Sequence, residues 1–233
     1  MNIREKIKGG LIVSCQALPQ EPLHSPIIMG KMALAAKMGG AVGIRGNGIE
    51  DIRAIQDEVD LPVIGLIKRE YPNSSVYITP TLKEVQELID VEVELIAIDS
   101  TFRGRPNGER LEDLYRYIRD KSKALIVADI STLEEAKRAE YLGADFISTT
   151  LAGYTEETKE RRLPDLSFLE VLVRHIHNLP ILAEGGIMTP EQAGRAIEIG
   201  AFAVVVGSAI TRPQVITKVF VDSITRQANR SGV

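Results

Sequence analysis

The chain has 233 residues, 44% of them hydrophobic, with 28 Lys and Arg against 32 Asp and Glu. That length and apolar content suit one large α/β domain with a full core and would crowd two unrelated ones. A formal net charge of −4 without a basic stripe argues against nucleic acid or an anionic membrane as the main partner, and no apolar run approaches the roughly 20 residues that span a bilayer.

The single cysteine, Cys15, excludes an internal disulfide framework, and residues 2–8 are polar and mixed in charge, so no leader is expected and the cytoplasm is the expected location. After a short polar helix, residues 10–16 read as a first strand ending in the amide of Gln16. Ser25 and Pro26 start a helix that Gly39 and Gly40 end, and residues 41–45 form a strand ending in Arg45. Asn47 with Glu50 is expected to open the next helix, to about residue 59, and the strand over 63–68 ends in Lys68. Thr81 with Glu84 caps a further helix, and the strand over 95–99 ends in Asp99. A helix over 111–120 precedes a strand over 124–129 that ends in Asp129. Ser131 with Glu134 then caps a helix to residue 142, and the strand over 146–150 ends in Thr149 and Thr150. Ser167 with Glu170 opens a helix to about 175. The strand over 181–184 delivers Glu184 into Gly185-Gly186, after which Thr189, Pro190 and Gln192 start another helix. A last strand, 202–206, runs into Gly207-Ser208 before a final helix from Pro213.

Eight apolar strands, each followed by a capped helix at intervals near 233/8, or about 29 residues, make an internal βα repeat. Strands without polar alternation are buried on both faces, as in a parallel sheet. An open doubly wound sheet is the rival, but eight evenly spaced units fit a closed (β/α)8 TIM barrel better. The expected fold is therefore one α/β domain over 1–233, with a short N-terminal helix.

In such a barrel the carboxyl ends of the strands meet at one mouth. Gln16, Arg45, Lys68, Asp99, Asp129, Thr149 or Thr150, Glu184, Gly207 and Ser208 would converge there, while the opposite strand ends carry Val63, Leu95, Ala124 and Ile181. That asymmetry marks one working face. Backbone N–H groups of Gly185, Gly186, Gly207 and Ser208, with Arg212 as charge partner, are expected to hold a phosphate between two neighbouring turns. A lysine and a glutamate over an apolar interior suit proton transfer beside a carbonyl, because partial burial brings both groups toward neutrality. His24, His175 and His177 close no strand, so no metal site is expected, and no Gly-x-Gly-x-x-Gly turn offers a nicotinamide site. Cys15 reads as a small core residue, and Tyr154 lies in a loop where it could cover a ligand.

The segments Gly9-Gly10-Leu11-Ile12-Val13-Ser14-Cys15-Gln16-Ala17, Gly43-Ile44-Arg45, Ile67-Lys68-Arg69, Ile98-Asp99-Ser100-Thr101, Ala128-Asp129-Ile130-Ser131, Thr149-Thr150-Leu151-Ala152-Gly153-Tyr154-Thr155, Ala183-Glu184-Gly185-Gly186 and Val206-Gly207-Ser208-Ala209-Ile210-Thr211-Arg212-Pro213 resemble the motifs of bacterial N-acetylmannosamine-6-phosphate 2-epimerases. The likeness spans essentially the whole chain. The glycine turns are shared by many phosphate-binding barrels, whereas the Ser-Cys-Gln-Ala, Thr-Thr-Leu-Ala-Gly-Tyr-Thr and Ile-Thr-Arg-Pro segments are distinctive. The resemblance implies an isomerase that interconverts N-acetylmannosamine 6-phosphate and N-acetylglucosamine 6-phosphate, a step in sialic acid and amino-sugar breakdown, with no metal or organic cofactor. It assigns Lys68 the acid/base role at C2 and Glu184 a partner role in ring opening or proton return, with Gln16, Arg45 and Asp129 orienting the sugar and its amide. The implied partner is the small sugar phosphate, and a homodimer is the assembly left open. The rival readings are another phosphate-barrel isomerase or synthase, and a barrel that senses a phosphosugar without turning it over.

Overall fold

The computed structural model describes residues 2–231, the side chain of Ser231 excepted. Eight parallel strands close on themselves in sequence order: β1 (Leu11–Cys15), β2 (Gly43–Asn47), β3 (Val63–Leu66), β4 (Leu95–Asp99), β5 (Leu125–Asp129), β6 (Phe146–Ser148), β7 (Ile181–Glu184) and β8 (Ala203–Val206), with β8 pairing back onto β1. The helices between them are α2 (Pro26–Met38), α3 (Ile49–Glu58), α4 (Leu82–Asp90), α5 (Leu111–Lys121), α6 (Leu133–Tyr141), α7 (Leu166–His175) and α8 (Pro190–Ile199). The TIM barrel expected from the βα repeat is therefore the fold observed.

Strand alternation sorts the apolar residues into two cores. Ile64 and Leu66 of β3, Leu95 and Ala97 of β4, Val127, Phe146, Leu182, Ala203 and Val205 fill the barrel interior, while Ile44, Val63, Ile96, Ile98, Ile126 and Ile147 face the helices. The N-terminal helix α1 (Ile3–Ile7) closes the floor: Ile7 joins the interior cluster, Gly9 donates to the Phe202 carbonyl, and the Arg4 guanidinium lies 5.5 Å from the Phe146 ring centroid. With the floor plugged and the interior packed, the barrel axis opens at the opposite mouth.

Several local boundaries depart from the sequence expectation. Asn47 does not cap α3. It continues β2, its Oδ1 accepts from the Lys68 N–H at 2.7 Å, and Gly48, with φ +85°, makes the turn instead. The capping box of α6 lies one residue later than Ser131 and Glu134, at Thr132 and Glu135, and the N-cap of α7 is Asp165 rather than Ser167. The strand carrying Thr149 and Thr150 ends at Ser148, and both threonines begin a 3-10 turn. Between β8 and the C-terminal helix α10 (Pro213–Ser231) lies a one-turn helix, α9 (Ser208–Thr211), where the sequence suggests only a loop. The boxes at Thr81/Glu84 and Thr189/Gln192 form as expected.

The outer wall of β8 and β1 is incompletely covered. A groove there is lined by Leu11, Ala193, Ile197, Val204, Val206 and Ile210, while α10 exposes Val219, Phe220, Val221 and Ile224.

Candidate active site

The mouth holds a cavity of about 310 Å3 lined by Gln16, Arg45, Lys68, Thr150, Tyr154, Glu184, Gly185, Gly186, Gly207, Ser208 and Arg212, together with Ser14, Tyr77 and Met188. Every strand end anticipated at the mouth lines this cavity except Asp99 and Asp129. Asp99 is fully buried under Thr101 and Arg103, accepting from the Thr101 hydroxyl at 2.7 Å and from Arg103 Nη2 at 2.5 Å. Asp129 lies behind Arg45: its Oδ1 and Oδ2 accept from Arg45 Nη1 at 3.1 Å and Nη2 at 2.6 Å. Asp129, expected to orient the sugar, thus stands behind the cavity wall, its carboxylate bonded to Arg45 and Thr150. Ser14 was legible, since alternation on β1 puts it on the same side as Gln16. Tyr77, like Tyr154, lies in a loop that the βα repeat puts at the mouth, and it lines the cavity.

Lys68 sits two residues beyond β3, held by the Asn47 bond and an antiparallel bridge to Ile78. Its ammonium group makes no ion pair among the described residues. Burial over Leu66 and Ile78 draws its pKa down to about 8, and the neighbouring cations Arg45 and Arg212 push in the same direction. Glu184 is raised above the usual carboxylate range, chiefly by burial and also by Asp129, against the pull of Arg45 Nη1 at 3.2 Å. Its backbone is clamped on both sides by the Thr149 hydroxyl, which accepts from its N–H at 2.9 Å and donates to its carbonyl at 2.7 Å. Glu184 Oε2 is 3.1 Å from Ser148 Oγ and 3.0 Å from Thr150 Oγ1, and Thr150 Oγ1 is also 2.7 Å from Asp129 Oδ1. One hydroxyl proton cannot serve two carboxylates at once, so Thr150 links Glu184 to Asp129 by donating to one of them at a time, while Ser148 Oγ donates to Glu184.

Two polar atoms at the cavity wall are buried without a partner among the described residues: the Gln16 Oε1 acceptor and the Arg45 Nε donor. Buried polar groups left unpaired are costly, and both are matched to a ligand carrying donors and acceptors. The backbone N–H groups of Gly185, Gly186, Gly207 and Ser208 likewise donate to no group among the described residues. The reasons for glycine at these turns go beyond close ligand approach. Gly186 has φ +69°, and a Cβ would stand 2.4 Å from that of Leu163; at Gly207 a Cβ would stand 3.3 Å from that of Ser14.

Cys15 is buried and its thiol is pushed up to about 12 by that burial, in keeping with a packing role. None of the three histidines lines the cavity; His24 and His175 bond the Ala17 and Val171 carbonyls. Among the described residues no group of three or more His, Cys, Asp and Glu side chains is arranged to hold a metal ion.

Comparison with known proteins gives this cavity a family. Residues 29–226 match the family model described as "Putative N-acetylmannosamine-6-phosphate epimerase". A relative from Oceanobacillus iheyensis, named as a 2-epimerase of that kind, is 57% identical over 93% of this chain and 99% of its own length. One from Clostridium perfringens strain SM101 is 55% identical over 93% and 97%. The solved structure of the N-acetylmannosamine-6-phosphate 2-epimerase from Clostridium perfringens superposes with a TM-score of 0.93 at 52% identity, covering 95% of this chain and 96% of that one. A thiamine phosphate pyrophosphorylase from Pyrococcus furiosus, at 19% identity and a TM-score of 0.61, shares the barrel alone. The chain belongs to the N-acetylmannosamine-6-phosphate epimerase family.

Proposed function

We propose that this protein interconverts N-acetylmannosamine 6-phosphate and N-acetylglucosamine 6-phosphate by removing and returning the proton at C2. The observation that carries the reading is the pairing, in one cavity, of Lys68 with its pKa drawn down to about 8 and a Glu184 raised by burial. The C2 proton is labile only beside the aldehyde of the open chain, so the site must open the ring, take the proton, hold an enolate and return the proton to the other face. Lys68, neutral in part near pH 8, is the base at C2. Glu184, raised by burial toward the acid form, is the partner group, acting at ring opening or in proton return at C2. Arg45 offers a fixed positive charge to the developing oxyanion, its orientation set by Asp129. Gln16 Oε1 accepts from the substrate's amide, and Tyr154 closes the rim. The unpaired N–H groups of Gly185, Gly186, Gly207 and Ser208, with Arg212, bind the phosphate.

We infer a cytoplasmic location, where a phosphorylated sugar is retained by its charge; no helix among the described residues is long and apolar enough to cross a membrane. A homodimer is supported by the apolar residues of α10 and the open groove of the β8 and β1 wall, which a second copy would bury. Light scattering on the eluting protein should return twice the chain mass; a monomer at micromolar concentration would remove that assembly.

Adding either hexosamine phosphate to the purified protein and following the anomeric and C2 protons by NMR tests the reaction. Both sugars should appear from either side. A sugar phosphate that binds but is never converted would instead make this a sensing barrel.

A further inference from the structure

We propose that Glu21, on the loop between β1 and α2, is a positioning residue that aims Arg212 at the phosphate of the substrate; the inference rests on the phosphate reading above. The loop is stiffened by Pro19 and Pro22 and closed on itself, with the Glu21 N–H donating to the Leu18 carbonyl at 2.8 Å and the Leu18 N–H donating to Glu21 Oε2 at 2.7 Å. The carboxylate is therefore oriented by its own loop before it meets any cation. It then takes the side edge of the Arg212 guanidinium, Oε1 accepting from Nε at 2.6 Å and Oε2 from Nη2 at 3.0 Å. Gln214 Nε2 adds a donor to Oε1 at 3.0 Å.

A guanidinium has five N–H bonds in a rigid plane. Glu21 uses two, and Ser208 Oγ accepts a third from Nη1 at 2.8 Å, which leaves one on each terminal nitrogen. Arg212 lines the cavity whereas Glu21 does not, so the edge that Glu21 leaves free belongs to the residue at the phosphate turn. Ser208, whose own N–H is one of the phosphate donors, fixes the other side of the fork. An exposed ion pair joining two loops contributes little. This one differs: its side chains are only 24% and 16% exposed, its carboxylate accepts from four donors, and the Arg212 bond holds Glu21 below the usual carboxylate range. A pre-oriented two-point donor binds a phosphate better than a freely rotating one, since less freedom is lost on binding.

The test compares Glu21→Ala, Glu21→Gln, Arg212→Met and the double variant for epimerase kcat and KM, and for competitive inhibition by inorganic phosphate, with circular dichroism as the check on folding. Glu21→Ala should raise KM and the phosphate inhibition constant together by about tenfold while kcat stays within about twofold, and Glu21→Gln, which keeps one acceptor, should fall between. In the Arg212→Met background, Glu21→Ala should change neither constant further, because Glu21 acts only through that arginine. Additive effects in the double variant, or an unchanged or lowered KM in Glu21→Ala while Arg212→Met raises it, would overturn the positioning role. If Arg212→Met itself leaves both constants unchanged, the phosphate reading at Arg212 falls first and this inference with it.

Discussion

Arg45 on β2 and Asp129 on β5 meet inside the barrel as a two-point ion pair that is 1% and 0% exposed, with Nη–Oδ separations of 3.1 and 2.6 Å. Glu184 approaches the same guanidinium from β7 at 3.2 Å. Two carboxylates therefore share one arginine, and burial with the Asp129 charge nearby raises Glu184 above the usual carboxylate range against the pull of Arg45. Burial of this kind is useful only when paired, since a lone charge there would lack both water and a partner.

Asp129→Asn should separate these roles. It keeps the side-chain volume but leaves Arg45 with Glu184 alone, and breaking a buried pair from one side costs about 3–5 kcal/mol. Urea denaturation should show a loss toward the lower end of that range, because Glu184 remains as a partner. Since Asp129 is one of the groups that raise Glu184, the acidity of Glu184 should return toward the ordinary carboxylate range and turnover should fall at least about a hundredfold. Wild-type turnover in a stably folded variant would remove Asp129 from the active arrangement.

The two glycine turns predict different failures. At Gly186, φ of +69° and a Cβ contact of 2.4 Å with Leu163 make alanine both strained and overpacked, which together cost roughly 2–4 kcal/mol. Leu163→Ala in the same chain should recover part of that loss. At Gly207 the added Cβ would meet Ser14 at 3.3 Å, a contact that can relax, so Gly207→Val should chiefly raise KM for the phosphorylated sugar. Calorimetry and initial rates on the two variants separate these outcomes; a Gly186→Ala protein as stable as the wild type would contradict the close packing of Gly186 on Leu163.

The barrel itself is written in the apolar runs, because strands buried on both faces cannot alternate, and eight of them recur at one spacing. The charged residues of the mouth were legible for the same reason, since Arg45, Lys68 and Glu184 each interrupt an apolar run; Glu184 ends its strand as expected, whereas Arg45 lies inside β2, which runs on to Asn47, and Lys68 lies two residues past β3. What the sequence hides is depth. Asp129 and Glu184 occupy equivalent places on their strands, yet Arg45 and Thr150 cover one and leave the other facing the cavity. Caps were misread where several hydroxyl or amide residues compete within three positions, as at Ser131 and Thr132 or Asp165 and Ser167, and only the path of the backbone decides between them. Glu21 gave no signal, because its partner Arg212 is distant in sequence and belongs to the last turn of the mouth.

Glu184→Gln should make the protein more stable and less active. Glu184 is raised in the folded state, so its contribution is complete at low pH and is lost as the pH rises through the folded value. The amide mimics the neutral acid at every pH. The variant should therefore melt above the wild type at pH 8, with the gap closing toward pH 4, while turnover drops because the amide cannot cycle a proton. A variant less stable than the wild type at pH 8 would mean that the glutamate is ionised and gains more from Arg45 than it loses by burial.

Lys68 carries the sharpest test of the proposed chemistry. A base with a pKa of about 8 is neutral in roughly a tenth of molecules at pH 7, so kcat/KM should rise with pH and level off above about 8, following one ionisation. Removing a positioned acid/base group typically costs about 10²- to 10⁴-fold, and Lys68→Met should fall in that range while still binding the sugar phosphate through the glycine turns and Arg212. Loss of fold is not the explanation to expect. The lysine pKa is depressed in the folded state, so the stability it contributes is present above its ordinary value of 10.5 and is lost as the pH falls through about 8. Methionine carries no such penalty, and the variant should melt higher than the wild type at pH 7. In deuterated water the wild-type product should carry deuterium at C2, since an ammonium at a cavity mouth exchanges its protons with solvent between turnovers. Interconversion without any deuterium, together with a Lys68→Met variant of near-normal rate, would rule out proton transfer by this lysine and require that the stereochemistry at C2 be inverted by another route.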